Sequence, residues 1–338
     1  MSDDRSAGSP GIVGIVGGGL AGLAAAERLR AAGVEVRVFD KGRGPGGRAS
    51  TRRHDADDRA LTFDHGAQYF TVRDDRFAAV VDRWVEAGAA QQWTGTIVAI
   101  DAPGEATPKP DGPARYVGTP GMNAIVKRTA KDLAVRFGVR VAAIERDGVG
   151  WLLSGKDGES LLRCDAVVVA VPAPQAAALL VAMPALQRVA TSIDMAPCWA
   201  AMIESAEPIA APGDGLFVNI EGNPLSWASR EASKPGRAPG QRWVLHAGGD
   251  WSRASIDREP ADVAGDLVDA FASALDVERP LIVHAAAHRW RYALAGGDAL
   301  EAPLHGDGLA LAGDWCRGGR IEGAYLSGID AAERLLGT

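Results

Sequence analysis

Apolar positions along this chain fall into two rhythms. Ile12 to Val16 is a nearly continuous apolar run, Val34-Glu-Val-Arg-Val-Phe alternates, and between them Leu20, Leu23, Ala24 and Leu29 recur with helical spacing. The pattern predicts strand, helix and strand within the first forty residues. Gly17-x-Gly19-x-x-Gly22 lies between the first strand and the helix, and the second strand ends in Asp40. That order suits a dinucleotide site. Gly17 permits the tight turn, Gly19 lets backbone N–H groups approach phosphate oxygens at the positive helix end, and Gly22 lets helix and strand close up. Asp40 is placed to accept from a ribose diol and to repel a ribose 2′-phosphate.

Further along, a helix is expected from Thr119 to Leu133, capped by Thr119 with Pro120 in its first turn. Met122, Ile125, Val126, Thr129, Leu133 and Phe137 would share its buried face. Arg140 to Glu145, Trp151 to Ser154 and Leu161 to Cys164 read as short strands turning at Asp147-Gly148 and Asp157-Gly158. Ala166 to Val171 is apolar on both faces, as in a covered parallel strand, and stops at Pro172. From Pro174 to Pro303 the chain carries expected strands at Cys198 to Glu204, Gly215 to Ile220, Arg242 to Ala247 and Ile282 to Arg289. Helices are expected near Gln175 to Ala182 and Ala261 to Leu275. Near the end, Leu309-Ala-Leu-Ala forms a strand that delivers Gly313-Asp314 at its carboxyl end, and a helix starts at Glu322.

These elements predict an α/β protein with a discontinuous Rossmann-like nucleotide domain over 10–72, 118–173 and 304–338. An inserted α+β substrate domain would occupy 73–117 and 174–303. The length of 338 residues suits about two domains. Hydrophobic content of 47% with 23% charged residues is ordinary for a globular chain, and no run approaches the ~18 apolar residues of a membrane span. The first ten residues lack a signal-peptide pattern and read as a short disordered tail. Three scattered cysteines, Cys164, Cys198 and Cys316, argue for a reducing compartment, so a cytoplasmic location is expected. A net charge of −7 without a basic cluster gives nucleic acid nothing to hold, and the six histidines show no zinc spacing.

The chemistry concentrates at a few places. Lys41 to Arg53 is rich in glycine and arginine and lies beside the expected anion site, with Gly46, Gly47 and Arg48 as contacts. Gly66-Ala67 would admit a flat ring, and Gln68 can donate and accept. Asp314 is placed for a ribityl hydroxyl. N–H groups at Gly323 and Ala324 would face the electron-rich side of an isoalloxazine. Leu20, Ala21, Lys41, Val141, Gly313 and Glu322 complete the expected cofactor set.

The stretches Gly17-Gly-Gly-Leu-Ala-Gly, Phe39-Asp-Lys-Gly-Arg-Gly with Gly46-Gly-Arg, Gly66-Ala-Gln-Tyr-Phe, Pro120-Gly-Met, Ala170-Val-Pro-Ala-Pro-Gln-Ala, Leu245-His-Ala with Trp251-Ser, His288-Arg-Trp-Arg-Tyr-Ala and Gly313-Asp-Trp-Cys through Glu322-Gly-Ala-Tyr-Leu-Ser-Gly resemble the flavin amine oxidase superfamily. Within it they look most like the bacterial renalase group. The resemblance implies non-covalent FAD in a fold like that of p-hydroxybenzoate hydroxylase. It also implies oxidation of 2- and 6-dihydro isomers of NAD(P)H, with oxygen reduced to hydrogen peroxide. Amine oxidation, or desaturation of the protoporphyrinogen or phytoene type, is the alternative; the latter would expect a membrane-facing apolar patch. Against the amine reading, amine oxidases commonly carry an aromatic residue two before the Glu of Glu-Gly-Ala, where this chain has Arg320. They also commonly keep an active-site lysine, and no lysine follows Lys234. An aromatic wall would then come from Trp290, Tyr292 or Trp243. Tryptophans at 199, 227, 243, 251 and 290 are expected to roof the pocket, and His246 or Gln68 to bond a nicotinamide carboxamide. Arg320 would meet a phosphate or polarise the flavin edge, while His288 is read as structural. Cys316 does not occupy a flavin-linking position.

Overall fold

Strands covered on both faces need apolar residues on both, and Val13, Ile15, Val36, Val38, Val167, Val168, Leu309 and Leu311 are all buried. A computed structural model describes residues 10–56, 59–109, 112–296, 300 and 304–338. The tail expected before Pro10 and the boundary placed at Pro303 lie outside the described residues. The first sheet runs in the order Val135–Phe137, Glu35–Asp40, Ile12–Val16, Ala166–Val169, Leu309–Leu311, His305–Gly306. Every neighbouring pair is parallel except the last. This is the Rossmann-like half of a mixed α/β fold. Helices Leu20–Ala31 and Ile321–Leu336 pack together on it, and a Cβ on Gly328 would stand 2.1 Å from the Ala21 carbonyl oxygen. The two cofactor motifs of the sequence, at opposite ends of the chain, therefore lie side by side.

The second sheet has seven strands, in the order Ile282–Ala295, Met195–Ser205, Arg242–Ala247, Leu225–Arg230, Gly215–Val218, Ile97–Ala102, Glu105–Pro108. Helix Pro260–Leu275 covers one of its faces, burying Val263, Leu267, Val268 and Phe271 against Trp199, Trp243 and Leu245. Each such side chain contributes about 1.5 to 3 kcal/mol. Asp276 closes that helix in the left-handed conformation.

Among the elements not anticipated are helices Asp75–Glu86 and Pro184–Thr191 and the strands Ile97–Ala102 and Leu225–Arg230. The helix expected from Thr119 starts at Asn123 and ends at Ala130; Phe137 lies on a strand of the first sheet. The cause is a cap supplied from elsewhere. Asp64 Oδ1 accepts from the Met122 N–H at 2.8 Å and Thr51 Oγ1 from the Asn123 N–H at 3.2 Å, while the Thr119 hydroxyl is buried without a partner. Among the described residues, no helix is long and apolar enough to cross a membrane. All three cysteines are free and buried.

Candidate functional site

An elongated cavity of about 1880 Å³ runs from the carboxyl ends of the first sheet to the face of the second. Its floor is mostly backbone. Gly17, with φ of +110°, leaves no room for a side chain, because a Cβ there would stand 2.4 Å from the Ala170 carbonyl oxygen. Gly19 is the opposite case: a Cβ would meet no protein atom within 4 Å, and the residue lines the cavity. Its missing side chain is space kept for something else. Leu20, Ala21, Asp40, Lys41, Gly47, Arg48, Gly66, Ala67, Gln68, Val141, Gly313, Asp314 and Ala324 line the same cavity.

Several residues act differently from the sequence expectation. Gly22 has the close-packing role expected of it, a Cβ there standing 1.9 Å from the Gly17 carbonyl oxygen, but it lies outside the cavity lining. Gly323 is also outside the lining, lying against the Arg317 carbonyl, and the Ala324 N–H is spent on the Arg320 carbonyl at 2.8 Å. The Glu322 carboxylate turns away from the cavity. Its Oε1 accepts from the N–H groups of Arg73 at 2.7 Å and Asp74 at 2.9 Å. Gly66 makes room for a neighbouring loop, since a Cβ would stand 2.0 Å from the Arg48 carbonyl oxygen, and the Ala67 N–H donates to that oxygen at 2.9 Å. Asp40 accepts from the N–H groups of Gly18 and Gly42, both at 2.6 Å, and the Arg48 guanidinium grips Asp314 in a two-pronged ion pair with one arm at 2.8 Å. This pair ties the Gly-Arg loop to the C-terminal motif across the cavity.

At the other end the lining is side chains. Tyr69, Phe217, Trp227, His246, His288, Trp290 and Tyr292 all contribute. Trp243 does not; it is fully buried against Phe271 in the core, as Trp199 is beneath the same sheet. Only Trp227 and Trp290 of the tryptophans expected to roof the pocket reach it. The Trp290 indole donates to the His65 carbonyl at 2.9 Å and sits edge-on to His288. Burial drives the His65 imidazole down to about 3 and His246 down to about 4, so both are neutral near pH 7.

Behind this end lies a polar cluster that sequence reading missed. Asp64, Glu231, Lys234 and Arg237 are each buried almost completely. Lys234 Nζ donates to Glu231 Oε1 at 2.6 Å and to Gln68 Oε1 at 3.0 Å, and Arg237 donates to Asp64 and to the Gly118 carbonyl. Burial opposes ionisation of Asp64, but the Lys234 and Arg237 charges outweigh it and hold the carboxyl below its usual range. Burial wins at Glu231, whose affinity for a proton is raised. Lys234 stands on a short turn after a strand in a Pro and Gly-rich stretch, which gave no periodic signal. The lysine passed over as the last in the chain is thus packed against the site.

Nine lysine and arginine residues line the cavity (Lys41, Arg43, Arg48, Arg52, Arg140, Lys156, Arg289, Arg291 and Arg320) against two acids, Asp40 and Asp314. In a chain of net charge −7 that is a strong local reversal of sign. Both acids are already engaged, whereas Arg320 has no ion-pair partner among the described residues. The indole N–H of Trp227 and Nδ1 of His65, on residues of the same lining, are buried without partners. Space kept at Gly19, backbone approach along the floor, cationic walls and unpartnered polar atoms fit an elongated anionic dinucleotide.

A Rossmann-like sheet joined to a second sheet over such a cavity defines a dinucleotide-dependent oxidoreductase. The chain belongs to the flavin containing amine oxidoreductase family, whose model matches residues 87–336, and an NAD(P)-binding Rossmann-like domain model matches residues 15–84. Its cofactor is FAD, held non-covalently. Cys316 is buried outside the cavity lining. Among solved structures, a candidate protoporphyrinogen oxidase from an Exiguobacterium species aligns over 98% of this chain and 99% of its own, with TM-score 0.76 at 13% identity. A putrescine oxidase triple mutant with redesigned cofactor binding aligns over 96% and 98%, with TM-score 0.70 at 13% identity. At that identity they share the fold.

Proposed function

We propose that this protein oxidises 2- and 6-dihydro isomers of NAD(P)H to NAD(P)+. Gly17, Gly19, Asp40, Gly47, Arg48, Gly313 and Asp314 would hold FAD, along a cavity divided between a nucleotide domain and the inserted substrate domain. Bound flavin supplies a two-electron acceptor that oxygen restores, with hydrogen peroxide as product. The observation that carries the reading is the sign of the cavity. Arg52 and Arg320 lie in the lining without an ion-pair partner among the described residues, and Arg289 and Arg291 share a single exposed carboxylate, Asp257, outside it, an environment that attracts a substrate bearing a pyrophosphate and repels an ammonium ion. A dihydropyridine expels hydride from its own nitrogen lone pair and needs no general base. The neutral imidazoles of His65 and His246 are consistent with that, since neither titrates near pH 7. The protein's task is then to position the donor carbon and exclude other orientations.

Amine oxidation is the second reading, favoured by the aromatic lining of Tyr69, Phe217, Trp227, Trp290 and Tyr292. Anaerobic mixing of FAD-loaded protein with aged NADH and NADPH preparations containing the isomers, and with a panel of amines, separates the two. Rapid bleaching of flavin absorbance by the isomer fraction is expected. Bleaching by an amine and not by the isomers overturns the proposal.

A further inference from the structure

Gln68 is the expected ligand contact whose bonds are most completely used up. A lysine ammonium, which can only donate, and a hydroxyl both point at one end of its amide: Lys234 Nζ at 3.0 Å and Ser229 Oγ at 2.6 Å. An ammonium cannot accept, so that end is the carbonyl oxygen and both its lone pairs are taken. The amide nitrogen faces two backbone carbonyls, of Asp64 and, at 2.9 Å, of Gly66, which take both its hydrogens. Gln68 has nothing left to offer a ligand.

The consequence passes to His246. Its Nε2 lies 3.2 Å from the His65 carbonyl oxygen and 3.5 Å from the Gln68 nitrogen. A carbonyl only accepts, and the Gln68 hydrogens are committed, so Nε2 must carry the imidazole proton. Nδ1 is then a bare acceptor. It makes no hydrogen bond within the described residues, and His246 lines the cavity half-buried. The low proton affinity of the ring, from burial and then the nearby Lys234 charge acting against the His65 bond, keeps Nδ1 unprotonated at neutral pH.

We infer that His246 Nδ1 is a recognition atom for a ligand N–H donor, in a tautomer that the His65 carbonyl sets and that the Gln68 amide, held by Lys234 and Ser229, leaves undisturbed. Resting on the dihydronicotinamide reading, the donor is the primary carboxamide of the pyridine ring. The site then discriminates by what stands at that ring position. A carboxamide offers the donor, an acetyl group of similar shape offers none, and a carboxylate brings an acceptor against an acceptor.

Oxidised holoprotein titrated with NAD+, 3-acetylpyridine adenine dinucleotide and nicotinic acid adenine dinucleotide, followed by the flavin visible spectrum and by calorimetry, tests this. Wild type is expected to bind NAD+ about tenfold more tightly than the acetyl analogue, as for one lost hydrogen bond. His246→Ala is expected to bind the two alike. Nitrogen-15 NMR of labelled histidine should show His246 with Nε2 protonated and Nδ1 bare in the FAD-loaded wild type. Equal affinity of wild type for NAD+ and the acetyl analogue, or a His246 ring protonated at Nδ1, overturns the inference while the substrate reading stands. Failure of all three dinucleotides to bind overturns the substrate reading, and the NMR still decides the tautomer.

Discussion

The two ends of the cavity are built from different materials. The nucleotide end is floored by glycines and backbone groups in short local turns, as at Gly17, Gly19 and Gly47. The ring end is made by side chains from five separated segments, with Gln68 held by Ser229 and Lys234 and His246 held by the His65 carbonyl. The first solution is set by local geometry and tolerates almost no added atom. The second is set by tertiary hydrogen bonding and depends on which groups carry protons.

The sharpest break between the ends is expected within the glycine motif itself. Gly22→Ala places a methyl group 1.9 Å from the Gly17 carbonyl oxygen, so the turn and helix cannot both keep their places. Loss of soluble, folded protein is expected, read as yield and as the cooperative circular-dichroism melt. Gly19→Ala adds the same methyl where no protein atom lies within 4 Å, at an ordinary φ of −80°. That variant should fold normally and bind FAD at least about tenfold more weakly, roughly 1.4 kcal/mol. Normal FAD affinity in Gly19→Ala would show that the space before this residue is not used by the cofactor.

Legibility in the sequence follows the same division. The strand, turn and helix around Gly17 could be read because every requirement is met by neighbours in the chain, and the parallel strand at Ala166 because burial on both faces leaves an unbroken apolar run. Helix Asp75–Glu86, capped by its own Asp74, had a local signal that went unread. The start of the helix at Asn123 had none, since its cap is Asp64. The same holds for Lys234, whose partner Gln68 lies 166 residues away. A carboxylate beside a glycine helix start, Glu322, suggested a cofactor contact because sequence shows proximity and not direction.

Acid should affect the ring end selectively. Unfolded imidazoles titrate near 6.5, whereas burial, with the His288 charge adding at His65, brings His65 to about 3 and His246 to about 4. Below about pH 6.5 the unfolded chain therefore binds protons that the folded chain does not, and lowering the pH favours unfolding. The stability held by these neutral rings is complete above the unfolded value and drains away as pH falls toward the folded ones. Each fully buried ring adds up to about 1.4 kcal/mol per pH unit to that slope, and less is expected from half-buried His246. Urea unfolding at pH 7, 6 and 5 should give a steep decline in wild type and a visibly shallower one in His65→Phe. The same slope in both would mean that His65 is protonated in the folded protein.

The smallest effect expected concerns Glu322, which stands at the border between the two ends. Its carboxylate collects the Arg73 and Asp74 N–H groups just before helix Asp75–Glu86, and Asp74 in turn accepts from the Arg76 N–H at 2.9 Å to cap that helix. Glu322→Gln keeps an oxygen acceptor of the same size but removes its charge, so the bonds survive in weakened form. The expected loss is about 1 kcal/mol of stability, read by thermal unfolding of the FAD-free protein, with FAD affinity by fluorescence titration unchanged within about twofold. A variant of normal stability that binds FAD poorly would restore Glu322 to the cofactor site. It would also move the border, adding a further long side chain to the nucleotide end beside Arg48 and Asp314.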